Sequence, residues 1–282
     1  MMRIAVASGK GGTGKTTVAT GLALSLSRNR SVHFLDCDVE APNAALLLHP
    51  AIFIAGPVMQ PVPAVDEALC DRCGECSDAC RFHAIAVTAS KVLLFPEICH
   101  SCGGCVEVCP RGAISERPRP IGEFSEGSAG RIQFTQGALN AGETATVPLI
   151  RAIRRRESEA DLLILDAPPG ASCPMVAAVE DADCVVLVTE PTPFGLSDLR
   201  IAVEAVRRMD LRAAVVINRD GIGDGRVDSF CVSAGLPVLG RIADDRAVAE
   251  AYSRGEHPFK KVPSFRAAMA AIAQSLKAEA FA

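Results

Sequence analysis

Short, nearly continuous apolar runs separated by longer mixed stretches dominate this chain. Arg3–Ala7 reads as a strand, and the stretch from Lys15 to about Ser27 reads as a helix. Val32–Leu35 is a second buried strand that ends at Asp36, and Ile52–Ile54 is a candidate third. Further along, Asp161–Leu165, Cys184–Thr189, Ala213–Asn218 and Pro237–Arg241 read as strands. Ser197–Arg208, Asp244–Arg254 and Ser264–Ala278 read as helices. Strands that are apolar throughout bury both faces, and their alternation with helices implies a mostly parallel sheet with helices on both sides. The expected fold class is α/β.

The pattern breaks at about Val65. From there to Pro120 the chain is dominated by cysteine, with short apolar runs such as Lys91–Phe95 between the cysteines. Gln60-Pro61-Val62-Pro63 and Arg117-Pro118-Arg119-Pro120 read as extended linkers on either side. The expected organisation is one discontinuous α/β domain, residues 1–64 and 121–282, with residues 65–120 inserted as a small α+β domain. The insert is internally repetitive: each cysteine run is followed within a few residues by Ala-Ile, at Ala84-Ile85 and Ala113-Ile114.

Composition narrows the classes. With 282 residues, 49% of them apolar, the chain can bury a substantial core and is not disordered. A net charge of −4 gives no electrostatic basis for nucleic-acid binding, and Arg154-Arg155-Arg156 reads as a solvated helix face. The first residues run directly into a strand and a glycine loop, which leaves no room for a signal peptide, and no apolar stretch reaches membrane-spanning length. A cytoplasmic protein without stable membrane association is expected, its cysteines ligating metal rather than forming disulfides.

Gly9-Lys10-Gly11-Gly12-Thr13-Gly14-Lys15-Thr16 lies between a strand and a helix, the context of a phosphate-binding P-loop. Glycines let backbone N–H groups approach phosphates, and the helix N-terminus adds partial positive charge. Lys15 is expected on the β- and γ-phosphates of ATP, and the Thr16 hydroxyl on Mg²⁺. Leu162–Leu165 followed by Asp166 is a Walker B pattern, whose carboxylate holds Mg²⁺, usually through water. Asp36 and Asp38 end the second strand, where ligands gather in open α/β sheets.

The loop, extended to Thr17, resembles the deviant Walker A motif of the MinD/ParA/Mrp ATPases, a family that includes the nitrogenase iron protein. Glu190-Pro191-Thr192-Pro193-Phe194-Gly195-Leu196-Ser197-Asp198-Leu199 resembles one branch, MinD-superfamily ATPases with an inserted ferredoxin domain, over essentially the whole chain. The resemblance implies a slow, partner-regulated ATPase that converts ATP and water to ADP and phosphate. It implies that Lys10 reaches the nucleotide of a partner subunit, in a homodimer or a heterodimer with a related ATPase. Asp38 takes the switch I position that orients the attacking water, with Asp36 near the Mg²⁺ shell and Asn43 close by. Ala167-Pro168-Pro169-Gly170 takes the place of switch II, and Asn218-Arg219 matches the adenine-contacting pair. MinD itself ends in a membrane-targeting helix. Here Phe265, Met269, Ile272 and Leu276 recur at helical spacing with Lys261, Arg266 and Lys277 as the nearby cations, a composition that favours a packed helix.

Cys70, Cys73, Cys76, Cys80 and then Cys99, Cys102, Cys105, Cys109 each read C-x2-C-x2-C-x3-C, the spacing of a bacterial ferredoxin with two [4Fe–4S] clusters. The fourth cysteine of each run ligates the other cluster in such proteins. One cluster should therefore take Cys70, Cys73, Cys76 and Cys109, and the other Cys99, Cys102, Cys105 and Cys80. Zinc is the competing reading, since C-x2-C pairs also build zinc ribbons. Cys109 is followed by Pro110, as the ferredoxin pattern expects, whereas Cys80 is followed by Arg81. His83 and His100 read as loop residues rather than ligands. Cys37, Cys173, Cys184 and Cys231 lie outside the runs and read as buried structural cysteines.

Three functions fit these motifs. The first is an ATP-driven switch coupled to electron transfer, acting on a redox partner protein. The second is a cluster assembly or carrier ATPase of the Mrp type, delivering to a metallocluster partner. The third is a ParA-like positioning ATPase with structural clusters.

Overall fold

A computed structural model describes residues 1–280, with side-chain surroundings as far as Leu276; Lys277 lies beyond those. The chain begins β1 (Met2–Ala7), α1 (Lys15–Leu26), β2 (Val32–Asp36), α2 (Ala44–Leu48) and β3 (Ala51–Val65). The cysteine-rich stretch holds α3 (Glu75–Ala79), β4 (Ile85–Val87), β5 (Val92–Leu94) and α4 (Gly104–Glu107). Then come β6 (Ile114–Ala129), β7 (Ile132–Leu139), α5 (Thr146–Arg154), β8 (Leu162–Asp166), α6 (Cys173–Val179) and β9 (Cys184–Thr189). The chain closes with α7 (Pro193–Arg208), β10 (Ala213–Asp220), α8 (Arg226–Ser233), β11 (Val238–Ala243), α9 (Arg246–Ser253), α10 (Pro258–Lys261) and α11 (Pro263–Ala280).

The chain divides into two compact units. The first comprises residues 1–55, 124–138 and 150–282, and the second comprises 56–123 and 139–149. The main sheet runs β11-β10-β9-β1-β8-β2-β7-β6-β3. From β11 to β7 every pairing is parallel, with Ile4 opposite both Ile164 and Cys184, and Phe34 opposite Phe134. β6 and β7 are neighbours joined by the two-residue turn Gly130-Arg131, a connection only antiparallel strands can make.

Both Pro-rich segments read as linkers are corrected here: they lie inside β3 and β6. Proline's fixed φ suits extended backbone, and its missing N–H is tolerated on an edge strand, which β3 is. Ile52–Ile54 is correspondingly the beginning of a 15-residue strand rather than a short one.

In the first unit the core is built where sheet and helices meet. Ile4, Phe34, Phe134, Ile164, Val186 and Val216 pack with Val18 and Leu22 of α1 and with the last helix. On α11, Phe265, Met269, Ile272 and Leu276 are all buried, so its apolar stripe faces the core. Gly21 and Gly240 leave the room: a Cβ on Gly240 would stand 2.6 Å from Ile272. No helix among the described residues is long and apolar enough to cross a membrane.

The second unit is a duplication written into the backbone. Residues 29 positions apart adopt matching left-handed conformations: Arg72 (φ 59°) with Ser101 (51°), Gly74 (93°) with Gly103 (72°), and His83 (53°) with Gly112 (58°). The Ala84 N–H donates to Cys80 Sγ at 3.3 Å, and the Ala113 N–H donates to Cys109 Sγ at 3.3 Å. The core between the halves is small, centred on Cys76, Ile85 and Ile114 with Val65, Val87, Val92, Leu94 and Val106 around it.

Candidate functional site

The segments expected to carry nucleotide chemistry all leave the C-terminal ends of parallel strands of one sheet: β1, β2, β8 and β10. That edge is where open α/β sheets collect ligands. An open cleft of about 1600 Å³ lies there, lined by Gly11, Gly12, Gly14, Lys15, Thr16, Thr17, Asp38 and Asn43, with Asn218 and Arg219 on its wall.

The loop after β1 is held from several sides. The Ser8 hydroxyl donates to the Lys10 carbonyl at 2.7 Å, and the Gly170 N–H donates to the Ser8 carbonyl at 2.9 Å. Gly14 has φ of 86°, and a Cβ there would stand 2.3 Å from Asn218 Nδ2. A Cβ on Gly9 would stand 2.2 Å from the Asp198 carbonyl oxygen. Glycine is therefore required at Gly14 for backbone conformation and close approach, and at Gly9 for close approach alone. Asn218 itself donates from Nδ2 to the Thr13 carbonyl at 2.7 Å, which places it against the loop.

Lys15 is buried, with Nζ 2.6 Å from Asp166 Oδ1 and 3.8 Å from Asp38 Oδ2. Burial alone disfavours its charge, but these carboxylates outweigh that and raise its pKa. Asp166 is completely buried, and its other oxygen, Oδ2, has no hydrogen-bond partner. An orphaned carboxylate oxygen beside the P-loop lysine suits a divalent cation or its water. Burial, opposed by Lys15, raises the pKa of Asp38.

Asp36 has a different task in the structure. One oxygen accepts from the Asp38 N–H at 3.1 Å, and the other accepts from Asn43 at 3.1 Å and Ala44 at 3.0 Å. Its carboxylate thus organises the loop from 38 to 44. Burial first, and the Asp166 charge second, push its pKa upward against those N–H bonds. Cys37 is fully buried, and burial drives its thiol well above the usual range. Cys184 and Cys231 are buried too, but Cys173 is exposed. The expectation of a buried Cys173 is corrected: it opens α6 shortly after Gly170, outside the packed face of that helix.

No sequence motif marks Glu190, although it heads the Glu-Pro-Thr-Pro segment. Its nearly buried carboxylate takes Arg219 Nη1 on one oxygen at 2.8 Å and Lys10 Nζ on the other at 3.6 Å. Two residues expected to touch nucleotide, from different strands, thus share one anion. Asp244, Asp245 and Tyr252 also line the cleft, and no sequence motif marked them.

In the second unit the eight run cysteines divide between two cavities. Cys70, Cys73, Cys76 and Cys109 line one, and Cys80, Cys99, Cys102 and Cys105 line the other. Each cavity therefore has three cysteines from one run and the last cysteine of the other. Among the described residues no three Cys, His or carboxylate side chains converge as a single metal ion requires. A zinc site needs its sulfurs about 3.8 Å apart, given Zn–S near 2.3 Å. Backbone N–H groups aimed at Cys80, Cys99 and Cys109 suit thiolates that share negative charge with a bound anionic group. His83 and His100 are exposed.

The family model of the CobQ/CobB/MinD/ParA nucleotide-binding domain matches residues 4–259. The chain belongs to this family. Two uncharacterized proteins of Methanocaldococcus jannaschii are similar to it: one is 29% identical over 91% of each chain, the other 32% identical over 79% of this chain and 80% of its own. An iron-sulfur cluster carrier protein of Pyrococcus horikoshii is 24% identical, over 90% of this chain and 77% of that one. Among solved structures, the septum site-determining protein MinD of Pyrococcus horikoshii, complexed with Mg-ADP, superposes with a TM-score of 0.61. It shares 19% identity over 99% of this chain and 97% of its own, a likeness of fold. Membership in the CobQ/CobB/MinD/ParA family accounts for the P-loop, its parallel sheet and the cleft at the strand ends.

Proposed function

We propose that this protein is an ATP-hydrolysing switch whose nucleotide state is coupled to one-electron transfer through two [4Fe–4S] clusters. The observation that carries this reading is the crossed division of the cysteines, three plus one, between two cavities in a chain that also holds a P-loop cleft. Cys70, Cys73, Cys76 and Cys109 would hold one cluster, and Cys99, Cys102, Cys105 and Cys80 the other. Bound clusters supply reversible one-electron redox chemistry. They also complete a unit whose apolar core is small.

On the nucleotide side, glycine-loop N–H groups and Lys15 would bind the phosphates, with Thr16 and Asp166 taking Mg²⁺. Lys15 pairs with Asp166 and Asp38. With Mg²⁺ held by Thr16 and Asp166 to neutralise that carboxylate, Lys15 would turn to the phosphates and Asp38 would orient water. Asn218 and Arg219 would meet the adenine. Lys10, once released from Glu190, would extend toward the nucleotide of a partner subunit. The loop organised by Asp36 leads through α2 into β3, so nucleotide-driven motion of that loop acts on the chain entering the cysteine-rich segment.

A carrier function is the second reading, favoured by the relative named an iron-sulfur cluster carrier protein. One experiment separates them. The cluster-loaded protein is titrated with dithionite under EPR detection, with and without Mg-ATP, and then incubated with an apo-ferredoxin. Coupled electron transfer requires reversible reduction, a shift of potential with ATP and retention of iron through turnover. Transfer of intact clusters to the apo-protein, with no shift, supports the carrier instead.

A further inference from the structure

The duplication of the second unit is close in backbone but not in chemistry. At the first cavity, Arg111 donates from Nε to Asp71 Oδ2 at 2.7 Å, and both residues line the cavity. Moving each of these residues to its counterpart 29 positions away in the other half gives Phe82 and His100. Those two also meet: their rings stack with centroids 3.7 Å apart and planes 10° apart, and both line the second cavity. One structural position, the pair across the rim of a four-cysteine cavity, is thus ionic in one half and aromatic in the other.

The remaining rim charges add to the contrast. Asp71, Arg72 and Arg111 line the first cavity, an excess of one positive charge. Besides the His100 imidazole, Glu116 is the one acidic or basic residue lining the second, where Ser101 replaces Arg72. Reducing a cluster adds one electron, without making or breaking a bond to the protein. Nearby positive charge and polar, solvated surroundings favour that extra electron, while an apolar rim and negative charge oppose it.

We propose that the two cluster sites are unequal, and that these rim pairs make them so: the cluster of Cys80, Cys99, Cys102 and Cys105 is the harder to reduce. This rests on the two-cluster reading above. An electron arriving at the aromatic-rimmed site then runs downhill to the ionic-rimmed one, which fixes the entry and exit ends of the module. A tenfold or greater difference in reduction equilibrium is expected, about 59 mV or more for one electron.

The test exchanges the rims in the full chain, after iron and sulfide have been counted. At one fixed alkaline pH, a dithionite titration followed by EPR should resolve two one-electron waves. Phe82→Arg with His100→Asp should move the lower wave up toward the other. Phe82→Arg alone, which leaves the neighbour of Cys99 untouched, should move it in the same direction. The reciprocal Asp71→His with Arg111→Phe should move the upper wave down. A single unresolved wave in the natural protein, waves that stay in place in all three variants, or Phe82→Arg moving the upper wave overturns the assignment. Iron and sulfide short of two clusters per chain overturn the two-cluster reading itself, a result distinguishable from full loading with unmoved waves.

Discussion

Lys15 offers a sharp test of the nucleotide site, because it stabilises the fold as well as any ligand. Replacing it with methionine keeps an unbranched side chain of similar reach and removes only the cation. Asp166, completely buried and 2.6 Å from Nζ, then has no counter-charge, and Asp36 and Asp38 stand close by. Breaking a buried pair from one side costs about 3–5 kcal/mol. The loss has a ceiling, because the cluster can shed one charge by taking up a proton. For a carboxyl whose unfolded pKa is near 3.9, that proton costs about 4 kcal/mol at about pH 7 but only about 1.5 kcal/mol at about pH 5. The penalty therefore shrinks as pH falls, since protonation relieves the variant. Urea unfolding of nucleotide-free protein in EDTA, at both pH values, measures it. Lys15→Met should lose about 3–4 kcal/mol at the higher pH and less than half of that at the lower. Adding Asp166→Asn should restore most of the loss. A penalty below about 1 kcal/mol at neutral pH, or one that does not shrink on acidification, refutes the reasoning.

His33 and His257 both accept a backbone N–H at Nδ1, from Ser158 and Phe259, and use Nε2 toward Thr135 and Thr20. Burial lowers both pKa values to about 4, so their contribution is present above the unfolded value of about 6.5 and is lost as pH falls from there toward 4. Stability should fall by up to roughly 1.4 kcal/mol per pH unit for each histidine over that window. His33→Gln with His257→Gln should flatten the fall in urea melts, and an unchanged slope counts against it. On the assembly side, Lys10→Ala should weaken ATP-dependent dimerisation by tenfold or more in light scattering while ATP still binds. A dimer as tight as that of the natural protein removes Lys10 from the partner's site.

Much of the fold could be read from local pattern. Val32–Asp36 and Leu162–Asp166 are apolar along their length because both faces of the parallel sheet are covered. Where such a run ends in aspartate, the polar residue marks the ligand edge. The β6–β7 hairpin escaped, although Ile132-Gln133-Phe134-Thr135 carries the alternation of a strand. Its glutamates and glycines mask the signal, and the φ restriction of the prolines in β3 and β6 looks alike in a linker and an extended strand.

The sequence by itself determined the chemistry at fixed short spacing: the glycine loop, the strand-ending carboxylates and the two cysteine runs. Those depend on neighbours within one turn or loop, so local spacing specifies them. The tertiary structure decided which distant groups share a charge or a cavity. Lys15 lies 151 positions from Asp166, Glu190 joins Lys10 to Arg219, and the Asp71–Arg111 and Phe82–His100 pairs meet across the halves of a duplication. Such pairings follow from strand order and from the close approach of remote segments, which residue spacing does not encode.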